Sequence, residues 1–307
     1  YGTPGGLTKA EFESNPQQAR PPTASLGAVQ AGAAVENKTV YGGIAYDHDW
    51  NTQWTSTIGA YAGSSMFENP TIRNYESRDE TNFGARTTTE YKFYKNEASS
   101  YKFTFGGEFQ YFKSPIAVFD NNGSGGRGMV QVRDEVSSGL GLLFAQGDLQ
   151  FPNDFFLTAG ASINFLTYDF LRVEPTPSIE QARNFDAVFS PRLAVLKKFS
   201  ENASVFASFS DGFSPPSLAE VRPSTNTFSK TLKAESGQNF ELGTRGRLIE
   251  GRLSYDLVVY DFNLRNTIVV QRNEDGADYF INAGKTSQRG IEAYLSYDII
   301  NYDAPMS

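Results

Sequence analysis

The clearest pattern in the chain lies between residues 101 and 111. Tyr101, Phe103, Phe105, Gly107, Phe109 and Tyr111 fall on one face, and Lys102, Thr104, Gly106, Glu108 and Gln110 on the other. Alternation with period two predicts a strand whose faces meet different surroundings. The pattern recurs at Phe83–Phe93, at Phe155–Phe165 and at Val205–Phe209. Weaker versions predict strands over Gly32–Tyr46, Trp54–Ala62, Val132–Leu149, Leu193–Val195 and Gln238–Leu248. A long strand is expected over Arg252–Arg272, bulged where alternation slips at Val258–Val259, and a last one ends near Ile300. Residues 1–27, rich in Pro, Gly and polar side chains, read as loop.

The connections alternate in length. Short turns fall near residues 51, 96, 152, 201, 250 and 301. Between them lie long polar connections at Gly63–Asp79, around Asn121–Gly126, at 171–187 and at Gly212–Ser236, with a further connection at Asn273–Ala277. Such parity is characteristic of a transmembrane antiparallel β-barrel with short periplasmic turns and long extracellular loops. The fold class is therefore all-β. The count is about eleven strands, odd where single-chain bacterial barrels close on an even number, so the chain reads as part of a larger barrel.

Composition sharpens this reading. The chain has 307 residues, no Cys, a single His and a net charge of −8, and aromatic residues make up 14%. The acidic balance excludes a nucleic-acid partner, which needs a basic footprint. Absence of Cys excludes disulfides and thiolate metal sites. No run of about 18 apolar residues is present, which excludes a membrane helix but not strands. Abundant aromatics with a polar average suit a barrel with aromatic girdles outside and a polar lumen inside.

Short motifs then carry a resemblance. Ser190-Pro191-Arg192 is followed by Asp211-Gly212-Phe213-Ser214-Pro215-Pro216 with Glu220, then by Glu241-Leu242-Gly243, Asn282-Ala283-Gly284-Lys285 and Arg289-Gly290-Ile291-Glu292. In this order and spacing the stretch resembles the barrel of TonB-dependent outer-membrane receptors. Pro4-Gly5-Gly6-Leu7-Thr8, with Asn15-Pro16 and Gln18-Ala19-Arg20 after it, resembles a loop segment of the iron-complex receptors of that family. The resemblance implies a partial barrel domain over residues 1–307, part of a 22-stranded plugged barrel, with 1–27 as an extracellular loop. The plug domain, the TonB-contacting segment and the closing strands would lie outside the chain. It also implies the outer membrane of a Gram-negative bacterium and active uptake of a ferric siderophore or similar iron complex. The partners would be that complex, the protein's own plug, outer-membrane lipid, and TonB of the inner-membrane TonB-ExbB-ExbD complex. No cofactor and no covalent chemistry are implied.

No catalytic constellation is present. His48 sits at a short turn beside Asp47, Asp49 and Trp50 and reads as a solvated turn residue, since a metal site needs further ligands. One His leaves no plausible Ser–His–Asp triad. Gly123–Gly128 lacks the strand–loop–helix setting of a phosphate loop and reads as a mobile extracellular loop. Asp134 and Glu135, adjacent on a strand, point to opposite faces and cannot share a site; they read as a solvated strand start. Arg192, Glu241, Arg289 and Glu292 are expected on the lumen face, pairing with each other or seating a plug, because a charge facing lipid costs about 2–4 kcal/mol at the midplane. An anionic, oxygen-rich iron complex needs Arg donors and flat aromatic area. The candidates, offered as a cluster, are Arg20, Arg73, Tyr75, Arg78, Arg127, Tyr168, Arg172 and Arg183.

Two other function classes remain open from the residues. One is a passive pore or a surface adhesin, and uptake of cobalamin or an oligosaccharide is a variant of the receptor reading. The other is a soluble all-β enzyme or lectin, which requires apolar interior faces and polar outer ones.

Overall fold

The computed structural model describes all residues except Ala24, Glu97, Asp275, Gly276 and 300–307. The sixth short turn, near 301, lies outside the described residues. A helix α1 (Lys9–Ser14) precedes β1 (Glu36–Asp49), β2 (Trp54–Pro70), β3 (Asn74–Asn96), β4 (Ser99–Asn121), β5 (Arg127–Phe151) and β6 (Phe155–Glu174). Then come β7 (Ile179–Asn184), β8 (Val188–Ser200), β9 (Ala203–Ser214), α2 (Leu218–Val221), β10 (Glu235–Leu248) and β11 (Leu253–Arg265). The series ends with β12 (Ile268–Arg272), β13 (Asp278–Asn282) and β14 (Lys285–Tyr297).

One antiparallel sheet runs β1-β2-β3-β4-β5-β6-β8-β9-β10-β11-β14, with β7 attached to β6, and does not close on itself; β12 and β13 form a separate hairpin. Eleven strands on the continuous path agree with the count from alternation. The short turns stand where the pattern put them: β1–β2, β3–β4, β5–β6, β8–β9 and β10–β11 all join at one end of the sheet.

The register shows what the alternation means. Ala60, Ala85, Phe109, Gly141 and Phe165 lie in one cross-strand row, and Leu193, Phe209 and Phe240 in another. These rows form an outward face on which Phe83, Phe103, Phe105, Phe109, Phe165, Leu193, Phe240 and Leu242 remain exposed. Large apolar groups in that number belong against hydrocarbon, not water. The opposite face carries Arg86, Glu108, Lys102 and Asp148, joined as Arg86–Glu108 and Lys102–Asp148. A soluble interior of that composition would be charged, which excludes the soluble enzyme or lectin reading.

The other end of the sheet differs from the expectation. Gly63–Asp79 is not a long loop: β2 runs to Pro70 and β3 starts at Asn74. β3, β4 and β5 have 23, 23 and 25 residues, whereas crossing a bilayer needs about 9–11. Along the β2–β3 extension alternation fades because neither face meets lipid, so polar residues occupy both, with Ser77 and Asp79 outside and Glu76 and Arg78 inside. Residues 171–187 likewise continue β6 and fold back as β7, and Arg252–Arg272 is two strands. Pairing of β11 is regular through Val258–Val259, so no bulge lies there. The break comes at Asn266, whose φ of 55° is left-handed.

A first test follows from the two faces. Spin labels at Phe103, Phe105 and Phe109 of the intact protein in bilayers are expected to be reached by an apolar relaxant. Labels at Lys102, Thr104 and Glu108 are expected to be shielded from it and to meet water or protein. Equal accessibility for the two sets would refute the assignment.

Candidate functional site

Beyond the girdle of Phe83 and Tyr111, β4, β5 and β6 stand above the membrane. Their inward faces carry Ile116, Val118, Val132, Val136, Leu166, Tyr168 and Phe170, all buried. The cover is the β9–β10 connection, which folds inward over this wall. It contributes Val221, with Leu218 and Phe228 packed against the same cluster. Its start is the Phe213–Pro216 motif: Tyr168 donates its hydroxyl to the Pro216 carbonyl at 2.9 Å. Next, α2 begins at a capping box, in which the Glu220 carboxylate accepts from the Ser217 backbone N–H at 2.6 Å. A buried phenol against a nearby carboxylate resists ionisation. Burial first, then the Glu220 charge, pushes Tyr168 up to about 12.

The anchor of this roof is Asp134. The sequence reading took it as solvated, but it is only 2% exposed. Arg172 of β6 grips it with Nε at 2.8 Å and Nη2 at 3.0 Å. Arg222, just past α2 and 3% exposed, reaches the second oxygen with Nε at 2.9 Å. Arg172 also donates to the Asn226 carbonyl, and Arg183 of β7 to the carbonyls of Lys230 and Leu232. Glu135, as expected of its neighbour position, faces outward and pairs with Lys113 at 2.8 Å.

The proposed ligand contacts do not assemble into one cluster. Tyr168, Arg172 and Arg183 hold the roof. Tyr75 and Arg127 sit on the outward face, where Arg127 pairs with Glu68 and stacks over Tyr75 and Phe119 at 5.1 and 5.3 Å. Burial, with Glu68 beside it, raises the Tyr75 phenol. Arg78 faces inward, pairs with Glu76 and Glu80, and lies over Phe67. Arg73 is exposed at the β2–β3 turn, and Arg20 is half-buried against Gly5.

The N-terminal segment also differs from a plain loop. Thr8 and Glu11 cap α1 reciprocally. Residues 28–33 pack onto the glycine-rich β4–β5 turn: Asn121 donates to the Ala31 and Thr71 carbonyls, and Ser124 N–H to Gln30. That turn is thus held by two segments, residues 28–33 and the β2–β3 turn. His48 of β1 stacks on Tyr46 and meets Trp50, just past the strand, edge to face. No cluster of metal-ligating residues occurs among the described residues.

The signature positions resolve into packing devices, with one correction. Glu241 faces the lumen and accepts from Ser208 and Asn239. Arg192 and Glu292 share that face by register. Arg289 does not: it pairs across the strand with Asp261, in the row of Phe240, and donates to Asp261 at 2.9 Å. Residues three apart on a strand cannot share a face, so Arg289 faces outward while Glu292 faces in. The glycines of these motifs lie under rings. A Cβ on Gly243 would meet Phe206 at 2.4 Å, and one on Gly290 would meet Tyr260 at 2.5 Å.

Comparison with known proteins agrees with this architecture. Residues 2–305 match the family described as TonB dependent receptor-like, beta-barrel. The chain is 30% identical over 117 residues to the ferric-pyoverdine M114 receptor PbuA of Pseudomonas sp. (strain M114), covering 36% of this chain and 13% of that protein. It is 27% identical over 153 residues to the ferric-pyoverdine 358 receptor of Pseudomonas putida, covering 48% and 17%. The ferric citrate transporter FecA, unliganded, superposes with a TM-score of 0.71 at 15% identity, over 96% of this chain and 43% of that one. The siderophore receptor PiuA from Acinetobacter baumannii gives 0.68 at 16%, over 87% and 45%. The matches thus span less than half of each of these proteins. With its outward aromatic rows, charged lumen wall and a family match over nearly its whole length, the chain belongs to the β-barrel family of TonB-dependent receptors.

Proposed function

We propose that this chain is the wall and part of the extracellular vestibule of a receptor for active uptake of a ferric siderophore. Its family is one of outer-membrane receptors and transporters rather than enzymes. The observation that carries the proposal is the inward-folded roof held on Asp134, set above a charged lumen in a chain whose relatives are ferric-pyoverdine receptors. A roofed vestibule holds a large ligand at the outer end, where a passive pore needs an open path.

In this reading Arg73 and Arg78 are the sequence candidates placed to meet ligand, while Tyr168, Arg172 and Arg183 act by fixing the roof. Tyr75, Arg127 and Arg20 brace the strand ends. A plug domain of the same protein seats against the lumen wall around Arg192, Glu241 and Glu292, and TonB supplies the pull that opens a path. The chain does no bond-making on the ligand; it binds, orients and admits.

The test is uptake of radiolabelled iron as ferric pyoverdine by cells whose only such receptor is the intact protein. Uptake is expected to vanish when TonB is deleted, with binding to the cell surface retained. Uptake that persists without TonB would establish a passive pore instead. Binding of cobalamin or an oligosaccharide in place of the iron complex would keep the receptor and change its cargo.

A further inference from the structure

On the outward face, the step from apolar to polar is abrupt along β11 and β14. Val259, Leu242, Ile291 and Leu295 are exposed apolar residues on that face. The next cross-strand rows are Asp261 with Arg289, Asn263 with Ser287, and Arg265 with Lys285. Asp261 is the ninth residue of β11 and Arg265 the thirteenth. With a rise of about 3.4 Å per residue and a tilt of about 40°, they stand ~21 and ~31 Å above the short-turn end. The apolar band of such barrels is about 25 Å tall. The ladder therefore begins near the top of the hydrocarbon and ends at headgroup level.

The rung of Arg265 and Lys285 sets two cations directly across from each other. Like charges so placed destabilise a strand pair, and neither forms an ion pair among the described residues. Arg265 donates only to Gln238, at 3.2 Å. The acids facing the patch are already engaged: Asp261 accepts from Arg289 and Asn263, and Asp211 accepts from Gln238. Arg289 is 75% exposed at its side chain, so most of its donors point away from Asp261. On the outward face of β4 and β5 the pattern is the opposite, because Lys113 is neutralised by Glu135. One sector of the rim thus keeps a net positive charge at the level where lipid headgroups lie.

We propose that Arg265, Lys285 and Arg289 form a docking surface for a phosphate-bearing lipid headgroup of the surrounding leaflet. The lipid's acyl chains would lie on the exposed faces of Leu242, Val259 and Ile291 directly below, beside Phe240 in the row of Arg289. Its phosphate would sit between the opposed cations and relieve their repulsion, as basic residues at a membrane rim do for anionic lipids. Arg265 and Lys285 carry the charge; Arg289, held by Asp261, sets the lower edge.

The experiment places the intact protein in phosphatidylcholine nanodiscs with or without lipid A and counts retained lipid A by native mass spectrometry. The Arg265→Gln/Lys285→Gln protein is expected to retain lipid A with about thirtyfold lower affinity. The charge-preserving Arg265→Lys/Lys285→Arg protein should match the parent, and Lys113→Gln, whose cation is already paired, should change little. A spin label at Ser287, with both cations intact, should slow on addition of lipid A, which reads the site independently of whether the double variant folds. Unchanged retention in the double variant, or a label indifferent to lipid A, would overturn the proposal. Displacement of lipid A by inorganic phosphate at equal concentration would overturn it too, since the site would then bind free phosphate.

Discussion

Replacing Asp134 with Ala is expected to release the β9–β10 connection from the barrel wall while the barrel itself stays folded. Asp134 is the only acid that the guanidinium groups of Arg172 and Arg222 share in the described structure. Arg222 already has one buried donor without a partner. Removing one member of a buried ionic group strands the others, a loss of about 3–5 kcal/mol. Most of that falls on the roof, because Arg222 belongs to the connection and Arg172 holds the Asn226 carbonyl. Hydrogen exchange across residues 215–232 should therefore accelerate by about two to three and a half orders of magnitude. Exchange in β4 and β5 below the girdle should not change.

A second variant separates ion pairing from packing. Asp134→Leu with Arg172→Met and Arg222→Met keeps volume and removes every charge. Such apolar replacements of a buried ionic group are often neutral or stabilising, so the roof should stay protected. If Asp134→Ala leaves exchange unchanged, the apolar contacts of Val221, Leu218 and Phe228 hold the roof, and the triad is incidental. If the roof is freed, siderophore retention should fall with it under the proposed function.

What the sequence made legible is what lipid imposes. Phe103, Phe105 and Phe109 alternate because one face meets hydrocarbon, so the pattern located strands and short turns together. Above the membrane that constraint disappears, and Glu76 to Asp79 read as loop although they extend β3. Other features were written locally and missed. Thr8 with Glu11 and Ser217 with Glu220 are both capping boxes, visible as a hydroxyl residue followed three positions later by Glu. The opposite faces of Arg289 and Glu292 follow from their spacing alone. Asp134 is different in kind. One of its partners, Arg222, lies 88 residues away, and no local pattern marks a charge that a distant loop will cover. The same holds for Tyr168, Arg172 and Arg183. An Arg-rich, Tyr-bearing loop suits an anionic ligand and a set of backbone carbonyls equally well, and only the fold of residues 215–232 decides between them.

The signature glycines give the sharpest contrast available within one motif family. Gly243 is buried on the lumen face of β10, in the row of Phe206 on β9 and Val258 on β11. A Cβ there would come within 2.4 Å of the Phe206 ring and 2.9 Å of the Leu257 carbonyl oxygen. The ring could rotate away, but the carbonyl is fixed by the ladder, and Phe206 also carries the Arg245 guanidinium 4.5 Å above it. Gly243→Ala is therefore expected to destabilise the barrel by about 1–3 kcal/mol, as overpacking does. Gly212, on the same face of β9, has no atom within 4 Å of its added Cβ. Gly212→Ala should be neutral or slightly stabilising, because Ala restricts the unfolded chain more than Gly. Urea unfolding of the intact protein in lipid reads both. The decisive arm is the double variant Phe206→Ala/Gly243→Ala. If the ring is what the glycine accommodates, the two changes couple, and the pair costs less than the sum of the single changes. Strict additivity would mean that Gly243 serves the Leu257 carbonyl and the backbone alone, and that the ring over the glycine is packing without strain.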